Sequence, residues 1–342
     1  MEYRYVGKSG LSVSTLALGT MTFGGGDTKF AAIGGLDEDQ AARMVDCAID
    51  HGVTLFDTSD NYAQGASENM LGKALGPKRK DHVIASKVFG RTGPGDHDIG
   101  LSRRHIIAAC EASLRRLGTD WIDLYQIHNH DSLVPVEETL RALDDLVRDG
   151  KVRYIGCSNH FAWQVLKALG ISERMGLERF VSQQILYSLV YRHAEHELIP
   201  AAIDQGLGTL VYSPLAQGYL TGKFRNDGVA GRLSATQQLE GVDTHHAQTI
   251  VDELRRIGDC DESGGARSPS QLALRWLVER PGVTSVIVGA RSEKQLLDNL
   301  AAARTVLSAD ESTALDRVSM LAPWYPRTAQ RVFHKERNPD AP

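Results

Sequence analysis

The stretch "VTLFDTSDNYAQGASENMLGKAL", residues 53–75, is the one whose reading decides the fold. Val53, Leu55 and Phe56 form a short apolar run of strand type. The run delivers a carboxylate, Asp57, off its end, and the phenol of Tyr62 follows five residues later, before a segment of helical period begins. A buried strand that ends in an acid and hands over to a helix is one βα unit with its chemistry at the strand's C-terminal mouth. The same grammar repeats outward in both directions. Candidate strands are "LALG" 16–19, "TLFD" 54–57, "VIASK" 83–87, "IDLYQIH" 122–128, "RYIGCS" 153–158, "FVSQQI" 180–185, "GTLVYS" 208–213 and "SVIVG" 285–289. Between them, Asp37 with Gln40 predicts a capped helix that ends near Gly52. Ser102 opens a helix striped by Ile106, Cys110, Leu114 and Leu117 and stopped by Gly118. Leu140, Leu143, Leu146 and Val147 mark another before Gly150.

Eight βα units in 342 residues favour a closed (β/α)8 TIM barrel over a doubly wound sheet, which has fewer strands and a Gly-rich first turn. No linker interrupts the pattern, so residues 1–342 read as a single domain. "YRYVG" and "LSVS" flanking "KSG" predict an N-terminal β-hairpin that plugs the barrel bottom. Residues 222–246 predict one long loop after strand seven, and the tail beyond Pro323 reads as polar and irregular.

Composition narrows the function. With 42% apolar residues the chain can bury a sizeable core. A net charge of -5 and a pI near 6.2 supply no long-range attraction to nucleic acid or anionic lipid. Cys47, Cys110, Cys157 and Cys260 lie far apart without metal-ligand spacing and read as small buried hydrophobes of a reducing compartment. The first residues carry no signal-type apolar stretch and no later run approaches eighteen apolar residues, so a cytoplasmic protein without membrane spans is expected. "GKS" at 7–9 and "GYLTGKF" at 218–224 both fail as phosphate-binding P-loops, and no GxGxxG follows a strand. His193 with His196, and His245 with His246, lack the ligands that would complete a metal site; "HELIP" at 196–200 lacks a second histidine. No metal is expected.

The polar residues at the strand ends converge. Strand two ends in Asp57 with Tyr62 beyond, strand three in Lys87, strand four in His128, strand five in Ser158 and Asn159. Strand six carries Gln183 and Gln184, strand seven ends in Tyr212 and Ser213, and strand eight is followed by Gly289 and Arg291. In a βα barrel all of these face one mouth, where such folds place their sites. Taken singly, each has a bland reading: Asp57 as a turn cap, Tyr62 as a packed aromatic, Lys87 as a surface lysine. Together they have a task, the protonation of an oxygen. A free phenol is a poor acid at neutral pH, but an ammonium beside it favours the phenolate and eases proton donation. Lys87 supplies the ammonium and Asp57 keeps it charged. Tyr62 is then the general acid, with His128 orienting the substrate oxygen.

The motifs "FDTSDNY", "ASKV", "QIH", "GKVRYIGCSN", "SQQILYSL", "VYSPLAQGYLTGKF" and "GARSEKQLLDNL" occur in the order of the aldo-keto reductase family, which the chain resembles from about Tyr3 to Leu307. "GKSGLSVS", "GLSRRHII" and "SPLAQGYLTGKF" are most similar to the branch with potassium-channel beta subunits and bacterial L-glyceraldehyde 3-phosphate reductases. The resemblance implies the tetrad Asp57, Tyr62, Lys87 and His128 and an NADPH (NADP+) cofactor extended across the barrel mouth. It implies that Ser158, Asn159 and Gln183 hold the carboxamide, that Tyr212 stacks on the nicotinamide, and that Leu215, Gln217 and Lys223 line the pyrophosphate path beside Ser213. Beyond Gly289, Arg291 and Ser292 precede a helix whose N-terminus favours an anion, which suits a ribose 2'-phosphate, and Gln295 and Asn299 meet the adenine end. The loop after His128 departs from the common family pattern: Asn129 and His130 precede Asp131, which bears on the substrate and not on the chemistry. Met21, Phe23, Phe89, His160 and Tyr191 are candidates for the pocket wall.

The function these readings imply is NADPH-dependent reduction of a small-molecule aldehyde or ketone. The alternative is a cofactor-binding regulatory subunit of the channel beta-subunit type with weak turnover. A third reading makes Lys87 a Schiff-base nucleophile, against which the neighbouring Asp57 argues. The sequence leaves a homo-oligomer open.

Overall fold

The computed structural model describes residues 1–25, 34–223, 243–259, 266–322 and 324–337. Strands β1 (Tyr3–Tyr5) and β2 (Ser12–Ser14) pair antiparallel as a hairpin. Eight parallel strands then close on one another: β3 (Leu16–Gly19), β4 (Leu55–Asp57), β5 (Val83–Val88), β6 (Ile122–Ile127), β7 (Val152–Ser158), β8 (Phe180–Leu186), β9 (Gly208–Tyr212) and β10 (Val283–Val288), with β10 returning to β3. Each of the eight runs read from the sequence carries a strand, and the architecture is the expected (β/α)8 barrel.

Side chains alternate along a strand, so each strand sends every second residue to the barrel axis. Ala17, Leu55, Ala85, Leu124, Leu210 and Ile287 form the lower interior, and Val6 and Val13 of the hairpin, both fully buried, pack against them. The hairpin therefore closes the barrel bottom. Gly7 makes this possible: its φ is +58°, and a Cβ there would stand 2.3 Å from the Gly206 carbonyl oxygen. One step higher on the same interior parity come Asp57, Lys87, Gln126 and Gln184, polar residues above an apolar floor.

The helices α1 (Glu38–Asp50), α2 (Ala66–Leu75), α3 (Arg103–Leu117), α4 (Val136–Arg148), α5 (Ala162–Met175), α6 (Leu198–Gln205), α7 (Thr244–Asp259), α8 (Pro269–Val278), α9 (Glu293–Ala301), α10 (Ala309–Val318) and α11 (Arg327–Arg337) complete the chain order. Asp37 and Gln40 form the expected capping box on α1, and Ser102 caps α3, which ends on left-handed Gly118. Fully buried Trp276 on α8 has the guanidinium carbons of Arg192 and Arg280 over its ring, 5.1 and 4.6 Å from the centroid, and donates to Asp316 of α10 at 3.0 Å.

Two expectations change. Of the long loop expected at 222–246, residues 224–242 lie outside the described residues, and α7 already begins at Thr244. The described part of the tail is not irregular: α11 occupies Arg327–Arg337, because that run is dominated by helix-forming Arg, Gln, Ala, Lys and Glu, and residues 338–342 lie outside the described residues. Cys260 also lies outside the described residues. Among the described residues no helix is long and apolar enough to cross a membrane, and no group of three or more His, Cys, Asp or Glu could hold a metal ion.

Candidate active site

The mouth of the barrel is built by the register of β4 and β5. Leu55 points into the floor and Phe56 outward, so Asp57 must point inward again, and Asp57 pairs with Ala85 two residues before Lys87. The buried Lys87 ammonium donates to Asp57 Oδ1 at 2.5 Å, to the Thr58 carbonyl at 2.8 Å and to Tyr62 Oη at 3.3 Å. Three protons meet three acceptors. Burial pulls Lys87 toward the neutral form, but the Asp57 charge, the Tyr62 oxygen and the bonds to both outweigh it and leave its pKa raised. An amine whose charged form is favoured in this way is unsuited to Schiff-base formation. The other oxygen of Asp57 accepts from Gln184 Nε2 at 2.8 Å and Gln126 Nε2 at 3.4 Å.

Tyr62 hangs over this layer on a turn that the sequence makes tight. Its N–H donates to the Ser59 carbonyl, Ala63 and Gln64 sit at φ +48° and +57°, and Gly65 at +90°. The left-handed φ of Gly65 favours glycine, and a Cβ there would stand 2.7 Å from Arg116 Cδ and push aside the side chain that pairs with Glu68. The ring of His128 stands edge-on to Tyr62, centroids 6.0 Å apart. Burial first, and the Lys87 charge second, push its pKa down to about 3, so the imidazole is neutral at physiological pH.

From this corner a cavity of about 690 Å³ runs across the mouth to the start of α9. Its wall contains Asp57, Tyr62, His128, Ser158, Asn159, Tyr212, Ser213, Leu215, Gln217, Lys223, Gly289, Arg291, Gln295 and Asn299. Asn159 is fixed by donating Nδ2 to the His128 carbonyl at 2.9 Å and accepting from Tyr212 Oη at 2.7 Å. Asn159, Ser213 and Gln217 hold left-handed φ values of +57°, +51° and +58°, and residues kept in that sparsely populated region cluster at functional sites. At the far end, burial and then the charge of Arg291 lower the pKa of Lys223, so two cations crowd one end of the cavity beside the N-terminus of α9.

Three expected residues lie elsewhere. Lys87 is beneath the wall, hydrogen-bonded to Asp57 and Tyr62. Gln183 faces outward from β8: its Nε2 donates to the Leu198 carbonyl at 2.9 Å and to Thr209 Oγ1 at 3.3 Å, and the cavity residue is Gln184. Strand alternation is the reason, since a one-residue step reverses the face. Ser292 is the N-cap of α9, accepting from the Gln295 N–H at 3.3 Å. Of the candidate pocket residues, Met21 lines the cavity, Phe23 is fully buried in the core, and His160 lines a second cavity between α4 and α5. Unforeseen wall residues include Thr22, Pro214, Thr221, Ser268, Ser270 and Asp298. Ser268 carried a visible signal, the "SPSQ" N-cap of α8, but nothing in the sequence tied that cap to this mouth.

The sequence profile described as "Aldo/keto reductase family" matches residues 15–320. The chain is 37% identical over 312 residues to a probable voltage-gated potassium channel subunit beta of Arabidopsis thaliana, covering 88% of this chain and 91% of the other. It is 39% identical over 315 residues to the uncharacterized oxidoreductase YrpG of Bacillus subtilis (88% and 91%), and 33% identical over 342 residues to the versiconal hemiacetal acetate reductase of Aspergillus parasiticus (92% and 96%).

Proposed function

The chain belongs to the aldo/keto reductase family, and from that premise we propose that it is an NADPH-dependent oxidoreductase that reduces an aldehyde or ketone to the alcohol, with Tyr62 as general acid. The observation that carries the reading is the hydrogen-bonded series Asp57, Lys87, Tyr62 opening into the cavity beside neutral His128. An ammonium 3.3 Å from a phenol oxygen stabilises the phenolate, so Tyr62 releases its proton more readily to an oxygen that is gaining negative charge. Asp57 holds the ammonium in place. His128 offers a ring N–H to the same oxygen and fixes the carbonyl's direction.

Bound NADPH would supply the hydride that reaches the carbonyl carbon. The residues present suit such a group. Tyr212 gives a ring face, and Ser158, Asn159 and Gln184 supply donors and acceptors near it for a carboxamide. Ser213, Leu215 and Gln217 follow along the wall toward Lys223 and Arg291, where paired cations and a helix N-terminus favour phosphate. Gly289, Gln295 and Asn299 form the adenosine end, with Ser292 capping the helix behind it. The span 1–342 is read as one barrel domain working in the cytoplasm.

Similarity to the Arabidopsis channel subunit beta favours a second reading, a regulatory channel subunit that holds cofactor in this cavity with weak turnover. Fluorescence titration with NADPH, followed by NADPH consumption with a panel of aldehydes that includes methylglyoxal and triose phosphates, separates the two. Steady turnover supports the reductase. Tight cofactor binding with negligible turnover across the panel supports the subunit, and absence of NADPH binding removes both.

A further inference from the structure

Neutral imidazole has one N–H, and which nitrogen carries it decides whether His128 meets a ligand oxygen as donor or as acceptor. The choice is made at the buried edge of the ring. There the Oγ of Ser59, itself fully buried, stands 3.4 Å from His128 Nδ1 and 2.8 Å from the Oδ1 of Asn61. Ser59 has a single proton to give. Given to Asn61 Oδ1, it leaves Oγ to accept from Nδ1–H, and the outward Nε2 is bare. A half-turn of the Asn61 carboxamide exchanges its two ends: Nδ2–H then donates to Ser59, Ser59 donates to Nδ1, and the outward nitrogen is Nε2–H. Both directions satisfy the same groups, because the Asn61 Nδ2 makes no other hydrogen bond within the described residues. Asp60 Oδ1, 3.3 Å from Ser59 Oγ, is the weaker competitor for the proton. The charged group facing the ring from β5 is Lys87, which repels a second proton on it.

We propose that Ser59 and Asn61 are positioning residues that set the tautomer of His128 through one hydrogen-bond chain, running Asn61 to Ser59 to His128 so that Nε2–H faces the ligand. The direction of the chain rests on the carbonyl-reduction reading, since a carbonyl oxygen needs a donor. Neither residue belongs to the cavity wall, so both act on substrate only through His128.

Asn61→Asp is the isosteric test, because a carboxylate can only accept and reverses the chain. The ring nitrogens are observed by 15N NMR of protein labelled at histidine, with the His128 signals assigned by their loss in His128→Gln. Wild type is expected to show Nε2–H and Asn61→Asp to show Nδ1–H. With 4-nitrobenzaldehyde and NADPH, kcat/KM of Asn61→Asp should fall about tenfold, the worth of one ordinary hydrogen bond. The added charge is controlled by making Asn61→Asp in a Ser59→Ala background, where the chain is already cut and the further loss should be under about threefold. An unchanged His128 tautomer in Asn61→Asp, or an equal loss in both backgrounds, overturns the proposal. Wild-type protein that turns over no aldehyde defeats the carbonyl-reduction reading instead, while the NMR comparison still decides whether this chain sets the tautomer.

Discussion

Lys87 gives all three of its protons to acceptors inside the fold, and one of them is the oxygen of Tyr62. Lys87→Met keeps most of the side chain's volume and removes the charge, so NADPH is expected to bind much as before while kcat drops by about two to four powers of ten. Stopped-flow mixing with an aldehyde reads the drop; a loss under about fivefold would detach Lys87 from the acid. Asp60, two residues from Tyr62, carries a different signature. It is fully buried, its Oδ2 has no partner among the described residues, and burial first, then the Glu68 charge, push its pKa up to about 8. An unfolded aspartate titrates near 4. The folded state therefore binds the proton more tightly, and this contribution to stability is complete below about pH 4 and is lost as pH rises toward about 8. Asparagine imitates the neutral acid at every pH. Asp60→Asn should stabilise the fold most near pH 8, by a free energy whose upper bound is on the order of 5 kcal/mol and which raises the melting temperature, and hardly at all near pH 4. Thermal melts at the two pH values check it, and an equal shift at both contradicts it.

At the scale of elements, β8 gives the sharpest contrast. Gln184 points inward to Asp57, whereas Gln183, its neighbour, ties the strand to the Leu198 carbonyl at the start of α6. Gln184→Leu is expected to lower kcat/KM by about tenfold or more, through the loss of a hydrogen bond to a charged group. Gln183→Leu is expected to leave kcat/KM within about threefold and to lower the melting temperature. Steady-state kinetics beside thermal melts decides, and the opposite order would reverse the two faces. This pair also marks where sequence reading stops. All eight strands and the caps of α1 and α3 were legible because apolar runs, Gly stops and Ser or Asp starts are local signals. Asp57, Tyr62, Lys87 and His128 were legible because each ends its own strand or follows it closely. Gln183 against Gln184 was not, since both are polar, both are buried and only barrel register tells them apart. The Asp60, Glu68 and Arg116 cluster behind the tyrosine turn escaped for a related reason: its members sit on different elements and meet only when α2 and α3 pack.

The whole molecule places Tyr62 at one end of the cavity and Lys223 with Arg291 at the other, so the cavity has the reach of one extended ligand from β4 to α9. Binding that engages so much of the barrel mouth should stabilise the fold. NADPH at a hundred times its dissociation constant is expected to add about 2.7 kcal/mol and raise the melting temperature by several degrees. Arg291→Ala should shrink that shift for NADPH far more than for NADH, with a ten- to hundredfold loss in NADPH affinity, because only NADPH carries the phosphate that a guanidinium forks. Equal losses for both cofactors in a fluorescence titration would remove Arg291 from the phosphate site. The central claim, that the phenol at the mouth of β4 protonates a carbonyl oxygen, is tested most directly by Tyr62→Phe, which removes the hydroxyl and keeps the ring. The measurement is single-turnover oxidation of bound NADPH by an aldehyde. The prediction is near-normal NADPH affinity with a rate about two to four powers of ten below wild type; a Tyr62→Phe protein that oxidises NADPH within a few-fold of the wild-type rate would contradict it.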